Sequence, residues 1–119
     1  MMTAAQMRML GQKRELDFRR RAVTYLMEAY PEFSALIGPR WSQFLAGAKE
    51  LADRADLRSE LAVMTMCELA AVYGHRFHFE NSWASYILFR CEAEPVERVD
   101  RLRKYLPRPD RLQPERNHG

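Results

Sequence analysis

The chain has 119 residues, 47% of them hydrophobic and 29% charged, and a formal net charge of +3. That is the size and mix of a single globular domain with a core that needs no disulfide or metal staple. No apolar run approaches the ~20 residues of a membrane-spanning helix, and no secretory h-region with a cleavage site opens the chain, so a cytoplasmic location is expected.

The first expected helix runs from about Ala4 to Tyr30. Leu16, Val23 and Met27, with Phe18, Ala22, Leu26 and Tyr30, recur at three- and four-residue spacing, the pattern of an amphipathic helix. Arg14, Arg20, Arg21 and Glu28 face away from most of that stripe. Pro31 ends the helix, because the residue before a proline avoids helical geometry. "FSALIGPR" then reads as a connector broken by Gly38 and Pro39.

A second helix carries Trp41, Phe44, Leu45, Ala48, Leu51 and Ala52 and ends near Arg54. Asp56 or Ser59 caps the start of a third, since a short side-chain oxygen satisfies free amides. Its stripe is Leu61, Met64, Cys67 or Glu68, and Ala71, with Val63, Ala70 and Tyr73 adjoining, and it is the most buried helix expected. Gly74 stands where a left-handed C-terminal cap is wanted.

In "YGHRFHFEN" the pattern predicts a corner, with Phe77 and Phe79 turned into the core and His75, Arg76 and His78 turned outward. Asn81 or Ser82 starts a fourth helix with Trp83, Tyr86, Ile87 and Cys91 as its apolar residues. Pro95 opens a fifth at its favoured first position. Val96, Val99, Leu102 and Leu106 form its apolar face, with Arg98, Asp100, Arg101, Arg103 and Lys104 around it. The segment "PRPDRLQPERNHG" is proline-rich and polar and reads as a flexible tail. The whole is expected to be an all-α, single-domain bundle of about five helices over residues 1–106, followed by a tail over 107–119.

Four chemistries can be weighed on these residues. A tetrahedral zinc site would need Cys67, His75, His78 and Cys91 to converge, but Cys67 points into the core and Cys91 lies a helix later. A Cys67–His75 nucleophilic pair would be separated by about two helical turns. Glu68 and Glu80 are carboxylates with no distinctive partner in the sequence, and no phosphate-binding glycine loop is present. No catalytic, cofactor or metal residue is therefore assigned.

For nucleic acid, charge distribution matters. Residues 1–30 carry six Lys/Arg against three Asp/Glu, residues 31–94 six against nine, and residues 95–119 seven against four. The ends are basic, yet Glu15 and Asp17 interleave with the first cluster and Glu97 and Asp100 with the second. Such mixing is the mark of a solvated helix face with local pairs. The fourth chemistry is partner binding: Met1, Met2, Met7, Met9 and Leu10 make the N-terminus adaptable and apolar, and the long first helix could pack on another protein or a second copy.

The order of motifs resembles a family of small helical accessory proteins encoded beside type VI secretion spike and effector genes in Gram-negative bacteria. The resemblance rests on Phe18, Leu26 and Tyr30–Pro31; on Trp41, Phe44, Leu45 and Ala48; on Ser59–Glu60; on Tyr73–Gly74 with Phe77; and on Trp83. It spans roughly residues 6–90, and "ADLRSE" replaces the family's glycine-isoleucine turn. It implies a chaperone- or adaptor-like role toward an effector or its adaptor, without enzyme activity or cofactor. Met7, Leu10, Arg14, Arg20, Arg21 and Arg101 are the expected partner-binding residues, and Gly74, Phe77 and Trp83 the structural ones. A toxin-neutralising immunity protein and a small basic nucleic-acid-binding protein are the alternatives.

Overall fold

The computed structural model describes residues 3–107, and at residues 7–9 the backbone alone. Nearly all of it is helical, with no strand among the described residues. The protein is all-α, as expected, but among the described residues seven α-helices and one 3-10 turn stand where about five helices were expected. The tail expected beyond Pro107 lies outside the described residues. Internal contacts divide the chain into two compact units, residues 1–41 and residue 42 onward.

In the first unit α1 spans Ala4–Ala29. Thr3 caps it through a reciprocal box: the Gln6 amide donates to Thr3 Oγ1 at 3.1 Å, and the Thr3 amide donates to Gln6 Oε1 at 2.8 Å. Ala22 and Leu26 are fully buried, whereas Leu16 and Met27 are 59% and 54% exposed. The inward face thus keeps most of the expected stripe and leaves Leu16 and Met27 outside.

Pro31 stops α1 and also starts α2, Pro31–Ile37. The expected connector is thus helical, because proline fits the first position of a helix as well as it ends one. The Leu26 carbonyl, freed at the end of α1, accepts from the Tyr30 amide at 2.8 Å and from Ser34 Oγ at 3.1 Å. Gly38, at φ +51°, ends α2 and leads through the 3-10 turn Gly38–Arg40 into α3, Trp41–Arg54. Phe33 meets Trp41 edge-on at 6.4 Å.

The second unit is built from most of α3, then α4 (Glu60–Tyr73), α5 (Phe77–Glu80), α6 (Ser82–Phe89) and α7 (Pro95–Arg103). After α3 the chain turns through Asp56 at φ +57°, and the Leu57 amide reaches back to the Ala52 carbonyl at 2.8 Å. This is the bonding of a Schellman-type stop with aspartate in the usual glycine place. Ser59 Oγ caps α4 by accepting from the Ala62 amide at 3.0 Å, and Gly74 ends it at φ +99°.

Helix α4 packs on α5 and α7, and α6 packs on α5 and α7. Leu57, Met66, Leu69, Phe77, Leu88 and Leu102 fill the core. The expected burial of α4 is correct but its inward face is not. Leu61 is 50% exposed, while Val63, Thr65, Met66, Cys67, Glu68 and Leu69 are all buried. A helix that is apolar almost all round carries no stripe to reveal its orientation.

Candidate functional site

The four expected partner-binding residues of α1 whose side chains are described fall on two lines of that helix. At about 100° per residue, Leu10, Arg14 and Arg21 share one line along α1, and Arg20 falls on another, beside Leu16, Val23 and Met27. Leu10, Arg14, Arg20 and Arg21 are all exposed. Arg21 lies over the Phe18 ring at 5.9 Å. The backbone at Met7 is helical, and its side chain lies outside the described residues.

Arg101 belongs to the second unit. It donates to Glu97 Oε1 at 2.8 Å and to Cys91 Sγ at 3.1 Å. Arg19 likewise pairs with Glu15 at 3.3 Å. These i,i+4 pairs are the local pairs that the interleaved charges suggested. Open to solvent, such pairs add little to stability.

Gly74, Phe77 and Trp83 all belong to the second unit. Gly74 ends α4 at a positive φ that favours glycine, with an extended ψ in place of the expected left-handed helical cap, and Phe77 is 1% exposed. Trp83 is half-buried, stacks on Tyr105 at 3.9 Å with the rings 4° from parallel, and meets Tyr73 edge-on at 5.3 Å. The Tyr73 hydroxyl closes this aromatic group by donating to the Tyr105 carbonyl at 2.6 Å.

The corner itself reverses an expectation. His78 is only 9% exposed, whereas Phe79 is 66% exposed. The reading of Phe77 and Phe79 as a pair facing inward assumed an extended alternation. Residues 77–80 are helical, and in a helix residues two apart point about 200° from each other. Phe77 inward therefore means Phe79 outward, with His78 beside Phe77.

His78 lines a cavity of ≈ 340 Å³ between α3, α4 and α5. Ala48, Leu51, Met66 and Phe77 give it a buried apolar wall, and Gln43, Glu50, Arg54 and His75 are exposed side chains at its opening. The His78 ring rests against Phe77 and Phe79, and its buried Nδ1 has no hydrogen-bond partner among the described residues. Burial, then the positive charges of Arg54, Arg76 and His75, push its pKa below the usual 6.5.

This carries a prediction. The unfolded chain, with an ordinary imidazole, takes up a proton before the folded one does. Stability is therefore full above pH about 6.5 and falls as the pH drops through that value. Thermal melts between pH 5 and 8 should show this loss, and His78→Phe should shrink it. An unchanged pH slope in the variant would contradict the assignment.

The two cysteines are free thiols. Burial, with the nearby Glu68 charge, pushes Cys67 up to about 12, which makes it a poor nucleophile. Among the described residues no three His, Cys, Asp or Glu side chains converge as metal ligands would.

Two charged residues, Arg98 and Arg103, sit where the sequence did not place them, and both reach partners in the interior. Arg98, expected outside, is 9% exposed. Glu68 is 2% exposed and takes 2.8 Å contact from Arg103, which also donates to Thr65 Oγ1 at 3.0 Å. Their partners lie 10 to 43 residues away along the chain, so no local spacing signals them.

No helix among the described residues is long and apolar enough to cross a membrane. No family model matches the chain, and no match was found among curated proteins or solved structures.

Proposed function

We propose that the protein is a non-enzymatic binding factor that acts in the cytoplasm on a type VI secretion effector or its adaptor, by packing α1 against an amphipathic helix of that partner. The supporting observation is the exposure of large apolar side chains on α1. Leu16 and Met27 are more than half exposed, and their spacing puts them on one stripe with the half-buried Val23 and the exposed Arg20. A row of this kind offers i, i+4, i+7 and i+11 anchors to a helical partner. The arginine at its side selects orientation more than it adds affinity.

The tagged protein, captured from cells in which the neighbouring effector and adaptor genes are expressed, should bring down one of those two products in near-stoichiometric yield. Leu16→Lys with Met27→Lys should lower that capture at least tenfold, equivalent to about 1.4 kcal/mol. Both positions are exposed, so helix content by circular dichroism should stay as it is. Capture of neither product would remove the reading. So would capture indifferent to both substitutions, or recovery of nucleic acid released steeply by salt.

A further inference from the structure

We propose that the groove between α6 and α7 binds a nucleotide, with the base stacked on the Tyr86 ring beside the Trp83–Tyr105 pair and the phosphate held at Lys104 and Arg101. This site lies in the second unit and is independent of the α1 surface proposed above.

The inference begins with spacing. Trp83, Tyr86 and Ile87 stand at i, i+3 and i+4 on α6, and Arg101, Lys104 and Tyr105 repeat that spacing at the end of α7. The two helices pack together, and the two sets line one groove of ≈ 350 Å³. That volume falls within the about 300–1,000 Å³ of small-molecule sites. Ile87 is its buried apolar wall. Tyr86 is 51% exposed, and its ring has no ring partner among the described residues. Tyr105 is also exposed but is fixed in place: it stacks on Trp83, and the Tyr73 hydroxyl donates to its carbonyl. A rigid aromatic surface loses little freedom when a planar ring covers it. Base stacking uses ring faces and not base edges, so these rings do not select which base is bound.

Charge selects the other half of the ligand. Two cations and no carboxylate line the groove. The Lys104 ammonium makes no ion pair among the described residues. Arg101 is paired, and the pairing fixes it: Glu97 and Cys91 each accept from one of its terminal nitrogens. A guanidinium held in this way has further N–H groups to offer a phosphate. Glu97 offsets part of the Arg101 charge, so Lys104 carries more of the preference for an anion. An acidic peptide would use the cations and leave the ring faces open, and a neutral aromatic compound would use the rings alone. A nucleotide joins a planar ring to an anion in one small molecule and uses both.

The chain has two tryptophans, and Trp41 lies in the first unit. In Trp41→Phe protein the tryptophan fluorescence is therefore that of Trp83. Adenosine monophosphate should quench it saturably. It should bind at least tenfold tighter than adenosine, which lacks the anion, and than ribose phosphate, which lacks the base. Lys104→Gln should weaken the monophosphate at least fivefold and leave adenosine as it was. Tyr86→Ala should weaken both by a similar factor. Both positions are exposed, so helix content by circular dichroism should stay as it is. Failure to saturate, equal binding of the monophosphate and ribose phosphate, or indifference to both substitutions would overturn the proposal. So would displacement of the monophosphate by tetraglutamate at equal concentration, which would assign the groove to acidic peptides. A short oligoadenylate binding more than tenfold tighter than the monophosphate would overturn it too, by assigning the groove to a nucleic-acid strand.

Discussion

Arg98→Ala is expected to destabilise the protein by about 3–5 kcal/mol. The guanidinium is buried, and its Nε donates to the Ile87 carbonyl at 2.9 Å. Its Nη2 donates to the Ala55 carbonyl at 3.0 Å and also to the Leu88 carbonyl. Ile87 and Leu88 belong to the last turn of α6, and Ala55 follows the end of α3. The last carbonyls of a helix have no partner in the helix itself, and they sit at the negative end of its dipole. One cation thus serves two helix ends, and α7 delivers it.

Truncation to alanine withdraws that donor from three carbonyls in a site with little access to water, at about 1–3 kcal/mol each before relaxation. Urea denaturation followed by circular dichroism measures the loss. Arg98→Lys should recover only part of it, because a lysine ammonium is a point donor on a flexible stem and cannot reproduce the planar fork. A loss below about 1 kcal/mol for Arg98→Ala, small for a buried network, would show that the three carbonyls find other donors.

The second large effect is expected at Arg103. Its Nη1 lies 2.8 Å from Glu68 Oε2 and 3.0 Å from Thr65 Oγ1. The two sides of the pair differ in exposure, 2% for the Glu68 side chain against 28% for Arg103. If Glu68 is replaced by glutamine, the guanidinium can turn toward water. If Arg103 is replaced by alanine, the carboxylate stays inside the α4–α7 contact and loses the Arg103 guanidinium. Arg103→Ala should therefore cost about 2–3 kcal/mol, and Glu68→Gln about 1 kcal/mol, the first figure reduced from that of a fully buried pair because Arg103 is partly exposed.

Replacing both residues with methionine should be less damaging than Arg103→Ala alone, since apolar packing can substitute for a buried pair. Chemical denaturation of the four proteins decides this. Equal losses for the two single variants would mean that the asymmetry in burial has no energetic consequence.

Both cases show where the sequence is informative. Trp41–Arg54 begins and ends where spacing places it, Ser59 and Gly74 bracket α4, and Pro95 opens α7. These are local matters. A hydroxyl that caps an amide three residues on, a glycine at φ +99°, and a proline whose missing N–H has no role at a first helical position all act within one turn. The helix α2 was missed because Pro31 stops and starts helices by the same chemistry. Thr3 and Gln6 carry the three-residue spacing of a capping box, again a contact within one turn.

The candidate sites were less legible. Leu10, Arg14 and Arg21 could be placed on one line of α1 from spacing, but the line holding Leu16, Arg20 and Met27 emerges as the more apolar surface only once burial is known. The cavity beside His78 joins residues of α3, α4 and α5 that are up to 35 positions apart, as with Gln43 and His78.

By itself, then, the sequence determined that this chain is helical and where most of its helices begin and end, because short-range backbone chemistry settles both. Which side of each helix is inward was decided only by tertiary structure. Leu61 and Val96 lie outside while Glu68, His78 and Arg98 lie inside. The reason is energetic: a charged or polar side chain can be buried when distant groups satisfy it, and a single apolar side chain can be left in water at modest cost. Neither condition is visible until the fold has brought the distant groups together.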